Sequence, residues 1–180
     1  MEIIQTQIPG LLIIKPRVFS DERGYFYESW NQESFSKNGI KTNFVQDNQS
    51  LSQKGVLRGL HFQNPPHAQA KLVRVIQGAV LDVAVDIRTG SPTYGKHVSI
   101  ELTAENHLQF FIPEGFAHGF LTLKDNTIFS YKCSAYYHKA SEGCILWNDP
   151  DLAIAWNTDH PTLSDKDLEG NKFRTFTSLF

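Results

Sequence analysis

At 180 residues, with two cysteines and a net charge of −2 from 17 basic and 19 acidic side chains, the chain is sized for one domain that needs no disulfides to fold. A balance so near neutral excludes a global field that would gather nucleic acid or an anionic membrane, so any bound anion must be met by local groups. The opening MEIIQTQIPGLLIIKPRVF has neither the basic start nor the unbroken apolar run of a secretory signal, and no stretch approaches the length of a membrane span. The expectation is a cytoplasmic protein with Cys133 and Cys144 as reduced thiols, since the two form no C-x-x-C pair and no zinc-finger spacing.

In chain order, strand candidates are LLIIKP, GYFYESW, FVQDNQS, GVLRGLHFQ, KLVRVI, AVLDVAVDI, HVSIEL, LQFFIP, GFLTL, IFSYKCSAY and CILWN. The clearest runs from Ala79 to Arg88, where Ala79, Leu81, Val83, Val85 and Ile87 alternate with Val80, Asp82, Ala84 and Asp86. Gln77-Gly78 before it reads as a hairpin turn that would pair this strand with KLVRVI. Helix signals are few: NQESFSKNG, ended by Gly39, and SDKDLEG, begun by Ser164 and ended by Gly170, both expected at the periphery. With no repeat, linker or low-complexity run, the reading is one all-β sandwich or barrel over residues 1–180.

Ionisable groups interrupt this strand-forming sequence. Strict alternation in GVLRGLHFQ places Leu57, Gly59, His61 and Gln63 on one face, with Arg58, Leu60 and Phe62 on the other. Lys71 shares a face with Val73 and Val75, and an ammonium on an apolar face needs a partner or a task unless it snorkels to water. His118 lies between Phe116 and Phe120 on its face and suits a supporting place in the core beside any ligand. Tyr131 shares a face with Phe129 and Cys133, where a phenol needs a hydrogen-bond partner. Asp167, three residues after Ser164, has the spacing of the acidic member of a helix capping box.

Gly55, His61, Gln63, Lys71, Gly78, Pro113, Gly115 and His118 together follow a spacing that resembles the cupin jelly roll. In metal-binding cupins the positions of His61, Gln63, Lys71 and His118 hold His, His, Glu and His. Glutamine is a poor transition-metal ligand and an ammonium has no lone pair to give, so the expectation is a pocket with no metal and no cofactor, in which Lys71 faces an oxyanion.

The phrases ERGYFYESW, FVQDNQSLS, GVLRGLHFQ, QAKLVRVIQGAVLDVAVDIR, SPTYG, IPEGFAHGF, YKCSAYY, WNDPDLAIAW and LSDKD, in that order, resemble the dTDP-4-dehydrorhamnose 3,5-epimerase family over nearly the whole chain. The resemblance implies a metal-free cupin barrel, usually a homodimer, that epimerises a dTDP-4-keto-6-deoxy-hexose on the route to dTDP-L-rhamnose. It implies His61 as base, Asp167 as the group that orients it, Lys71 at the enolate oxygen and Tyr131 as the acid on the opposite face. It further implies Arg23 and Arg58 for the diphosphate, and Phe26, Glu28, Gln46 and Asn48 for the nucleotide, some of them supplied by a partner through exchanged N-terminal strands. Epimerisation at C3 or C5 alone, or a silent cupin that binds a nucleotide sugar, are the other functions compatible with the pattern.

Overall fold

The computed structural model describes residues 1–180. The chain enters through β1 (Glu2–Gln5) and β2 (Leu12–Lys15), then forms an exposed hairpin of β3 (Phe19–Asp21) and β4 (Gly24–Phe26) before the helix α1 (Gln32–Lys37). Next come β5 (Gln46–Ser52), β6 (Leu57–Gln63), β7 (Lys71–Gln77), β8 (Ala79–Asp86) and β9 (His97–Thr103). After them lie β10 (Gln109–Ile112), β11 (Phe116–Thr122), β12 (Thr127–Cys133), β13 (Glu142–Cys144) and the helix α2 (Asp165–Leu168). Two sheets carry the fold, a six-stranded one in the order β1-β2-β10-β7-β12-β5 and a five-stranded one in the order β13-β6-β11-β8-β9. Their neighbouring strands pair antiparallel throughout. This is the all-β jelly-roll architecture expected, with the helices short.

Between the sheets, Val73 and Val75 of β7, Val80 and Ala84 of β8, Phe110 and Ile112 of β10, Phe120 of β11 and Phe129 of β12 form the central core. The outer face of the five-stranded sheet is also buried. Val83, Val85 and Ile87 pack there with Leu60 and Phe62 under Leu152, Trp156 and the aromatic C-terminal segment. Both faces of β8 are therefore covered, which is why its even positions, Asp82 and Asp86, are buried although the pattern is alternating. On the other side, Phe35 of α1 and Ile40 close the outer face of the six-stranded sheet over Ile14, Leu72 and Phe111.

Two expectations are corrected. β7 and β8 are not a hairpin: β7 pairs with β10 and β12 while β8 pairs with β9 and β11, so Gly78 turns the chain from one sheet into the other. A Cβ at Gly78 would stand 2.9 Å from the Cα of Thr127, and its φ of +85° is one that glycine adopts freely. GYFYESW is strand only as far as Phe26, because Trp30 leaves the ladder to pack against Phe35 and Phe44. The N-terminal strand β1, too short and mixed to show alternation, pairs with β2. Helix α2 is peripheral as expected, with Asp165, Lys166 and Leu168 exposed, but it turns one buried side chain, Asp167, inward towards β6.

Candidate active site

Strict alternation fails within β6, and that failure builds the site. His118 of β11 pairs with His61 but Phe120 pairs with Arg58, so three steps along β6 match two along β11. The extra residue falls at Gly59-Leu60, and it brings Arg58 and His61 to the same face, contrary to the expected split. Leu57, Leu60 and Phe62 go to the outer core instead. Two glycines permit the close crossing: a Cβ on Gly59 would lie 2.5 Å from the Gly119 Cα, and one on Gly119 would lie 2.7 Å from the Arg58 carbonyl oxygen.

A cavity of about 330 Å³ opens at this end of the barrel, and among its lining residues are Asn48, Arg58, His61, Lys71, His118, Tyr131 and Asp167. Seven of the expected site residues thus meet in one place. His61 Nε2 stands 2.8 Å from Asp167 Oδ1, with the His61 side chain 28% exposed and that of Asp167 3%. The contact is close but off the axis of a well-aligned hydrogen bond. Asp167 divides its carboxylate. Oδ1 also accepts from the Gly59 amide at 3.0 Å, while Oδ2 accepts from the Ser164 amide at 3.2 Å and the Ser164 hydroxyl at 2.6 Å. The capping box and the histidine contact therefore coexist. Burial raises the Asp167 carboxyl, but His61, Ser164 and the Gly59 amide together outweigh it and hold the group well below the usual carboxylate range.

His118 faces a different carboxylate. Its Nε2 lies 3.0 Å from both oxygens of the fully buried Asp82. Burial pushes its imidazole down in spite of Asp82, so the ring is a fixed neutral wall rather than a free base.

Lys71 is half-buried on the interior face with Val73 and Val75, as the alternation predicts. Its Nζ makes one long contact, 3.5 Å to the His61 carbonyl, and no carboxylate pairs with it. Burial lowers its pKa, opposed by the fields of Cys133, Asp82 and Glu142. Arg58 likewise has only the Ser52 hydroxyl, at 3.3 and 3.4 Å. Two cations without counter-ions in one cavity make a site for an anion. Tyr131 projects into the same cavity from β12, and burial raises its phenol, which therefore stays protonated at neutral pH.

Gln63 is committed elsewhere: its amide nitrogen donates to the His67 and Tyr136 carbonyls and its oxygen accepts from the His138 amide. A cupin-type metal would find neither it nor Lys71 as a ligand.

The nucleotide-site candidates are divided. Asn48 lines the cavity, and Gln46 donates to it at 3.0 Å. Arg23 and Phe26 sit instead on the β3–β4 hairpin, where Arg23 is 85% exposed and held by Asp21. Glu28 accepts from Asn31 Nδ2 outside the cavity. Sequence reasoning missed Glu142 and Lys166, a salt-bridged pair on the cavity rim with Tyr137 donating to Glu142 at 2.9 Å. Lys166 stands beside Asp167 in LSDKD, but its charge is common on a helix surface and carried no signal.

The fold and cavity define a cupin-type jelly roll built around an acid–base centre with unpaired cations. The family model for dTDP-4-dehydrorhamnose 3,5-epimerase matches residues 5–175, and the chain belongs to that family. It is 56% identical over 174 residues to the dTDP-4-dehydrorhamnose 3,5-epimerase of Shigella flexneri, covering 96% of each chain. It is 52% identical to the enzyme of that name from Methanothermobacter thermautotrophicus, covering 95% of this chain and 94% of that one. The crystal structure of dTDP-6-deoxy-D-glucose-3,5-epimerase from Legionella pneumophila, in complex with dTDP-4-keto-L-rhamnose, superposes with a TM-score of 0.94 at 50% identity, covering 98% and 94% of the two chains.

Proposed function

We infer that this protein epimerises C3 and C5 of dTDP-4-dehydro-6-deoxy-D-glucose to give dTDP-4-dehydro-L-rhamnose, in dTDP-L-rhamnose biosynthesis. The observation that carries the reading is the His61–Asp167 contact in a cavity shared with Tyr131 and the unpaired Lys71. In such a sugar both C3-H and C5-H are acidic because the C4 ketone accepts the electron pair as an enolate. With Nε2 turned to Asp167, Nδ1 of His61 takes the proton, and the Asp167 carboxylate stabilises the imidazolium that forms. Lys71 holds the negative C4 oxygen, an interaction stronger in the enolate than in the ketone. Tyr131 returns a proton to the opposite face, which inverts the centre; the phenolate then takes a proton from solvent and the His61 imidazolium gives one up to it, restoring both groups.

Arg58 takes the diphosphate, its planar fork being suited to phosphate oxygens. Asn48 and Gln46 serve the nucleotide, and His118 closes the wall behind the sugar. Arg23, Phe26 and Glu28 belong to a homodimer in which the exposed hairpin of one protomer completes the cavity of the other, a reading supported by the exposure of Phe19, Tyr25 and Phe26. The whole chain acts as one catalytic domain. A cytoplasmic setting accords with two free cysteines and the absence of any helix long and apolar enough to cross a membrane.

Incubation with dTDP-4-keto-6-deoxy-D-glucose in D₂O, followed by NMR, tests the reading. Deuterium is expected at both C3 and C5, and His61→Ala is expected to abolish it. Entry at one carbon alone would replace the double epimerase by a single one, and entry at neither would leave a nucleotide-sugar binder.

A further inference from the structure

Cys144 takes no part in the acid–base scheme, yet β13 brings it directly across the ladder from His61. A ring nitrogen of His61, the Cys144 Sγ and a carboxylate oxygen of Asp167 all lie within 4.8 Å of one another. Each has coordinating capacity to spare. His61 Nε2 is buried without an aligned hydrogen bond, and the Cys144 thiol makes only a 3.6 Å contact to the carbonyl of its neighbour Ile145. Asp167 can offer Oδ1 to a ligand while Oδ2 remains on Ser164.

We propose that His61, Cys144 and Asp167 form an inhibitory site for a thiophilic divalent cation, Zn²⁺ foremost, which binds by capturing the general base. One nitrogen, one sulfur and one oxygen are a donor set that zinc accepts and that magnesium and calcium, which take oxygen ligands, do not. Zinc bonds of about 2.0–2.3 Å put tetrahedral ligand atoms roughly 3.3–3.8 Å apart. The three side chains reach that spacing by torsional shifts of about an ångström, and because His61 and Asp167 line the cavity, a water from it would complete the tetrahedron. The backbone beneath them is held by reciprocal Leu60–Ile145 hydrogen bonds of 3.1 and 3.0 Å.

Charge balances without any redox step. The Cys144 S–H bond breaks, its proton passes to solvent, and the thiolate and the Asp167 carboxylate together neutralise the two charges of the ion. His61 contributes the lone pair of its neutral ring. The resulting complex is uncharged and escapes the repulsion that Lys71 and Arg58 would exert on a dication held by neutral ligands. A histidine bound in this way cannot accept a proton from substrate, and this inhibition clause alone rests on the epimerase reading.

The test titrates the full-length protein with Co²⁺ as a spectroscopic substitute for zinc. A thiolate-to-cobalt charge-transfer band should rise to saturation at one equivalent and be displaced by Zn²⁺. Cys144→Ser should lose the band, keep its turnover without metal, and need about tenfold or more Zn²⁺ for half inhibition. Cys133→Ser should keep the band. Absence of the band in the unaltered protein, its loss in Cys133→Ser, or equal zinc sensitivity with and without Cys144 would each overturn the proposal. The cobalt spectrum requires no turnover, so it stands or falls apart from the deuterium experiment.

Discussion

His61 and His118 are direct partners across the β6–β11 ladder, but their rings answer to different carboxylates, Asp167 for the first and Asp82 for the second. The difference in surroundings separates their roles. His118 is 6% exposed and its imidazole is pushed down by burial, whereas the His61 side chain is 28% exposed and opens onto the cavity. Two histidines that face each other across one ladder are thus a wall and a base by environment.

Lys71 should show stability and activity pulling apart. Its ammonium lines the cavity beside Phe120, Phe129 and Tyr131 with no carboxylate paired to it, which costs folding free energy and suits an enolate oxygen. Lys71→Met is expected to lower kcat by about 10²- to 10³-fold, the usual cost of an oxyanion donor. The same variant should gain about 1 kcal/mol of stability, or roughly 2–4 °C in Tm. Calorimetry beside steady-state kinetics checks both. A Tm that falls would mean that Lys71 has a stabilising partner in the folded protein.

Tyr131→Phe should uncouple exchange from inversion. Removing the phenol leaves His61 able to take a proton and return a solvent deuteron to the same face. Deuterium is therefore expected to enter the substrate with its configuration retained, while product formation falls by about 10²- to 10⁴-fold. NMR distinguishes labelled substrate from labelled product. Undiminished inversion would assign the acid elsewhere, with Tyr137 on the rim as the next phenol to test.

Much of this site was legible because strand periodicity carries it. The face shared by Lys71, Val73 and Val75, and that of Phe129, Tyr131 and Cys133, follow from alternation alone and hold in the structure. The grouping of Arg58 with His61 did not follow, since a bulge obeys no period-two rule and its cause is the approach of Gly59 to Gly119, residues far apart in sequence. For the same reason Gly78 read as a hairpin: the glycine signals a turn, but which sheet the chain enters next depends on partners that local sequence does not name. Asp167 carried the spacing of a cap and is one, and only the fold shows that its other oxygen meets His61 across more than a hundred residues.

Asp86 should set part of the acid limit of stability. Fully buried, it accepts from Arg88, Ser91 and Thr93 and so pins the loop after β8. Burial raises its carboxyl, but those hydrogen bonds, Arg88 foremost, outweigh the effect and bring it down to about 2 from an ordinary 3.8. A carboxyl lowered on folding stabilises the protein above its unfolded value and loses that contribution as pH falls through the folded one. Asp86→Asn is expected to cost about 2 kcal/mol at pH 7, with the gap to the unaltered protein narrowing as pH drops from about 4 to 2. Urea melts across that range measure it. A gap independent of pH would show that the loss lies in packing or in the orphaned Arg88, not in the charge of Asp86.

Asp167 joins folding to catalysis through one carboxylate, and variants at two positions separate the contributions. Ser164→Ala removes the hydroxyl from Oδ2 and the cap from α2 but leaves Oδ1 on His61 and the Gly59 amide. It should cost about 1 kcal/mol of stability, as loss of an N-cap does, with kcat reduced only a few-fold. Asp167→Asn keeps the shape of the side chain while it removes the negative charge that supports imidazolium, so kcat should fall by about 10²-fold or more. If Asp167 acts through His61, Asp167→Asn should add almost nothing to the defect of His61→Asn, because the base it serves is already gone. Full additivity in that double variant would make Asp167 a structural cap whose nearness to His61 has no catalytic consequence.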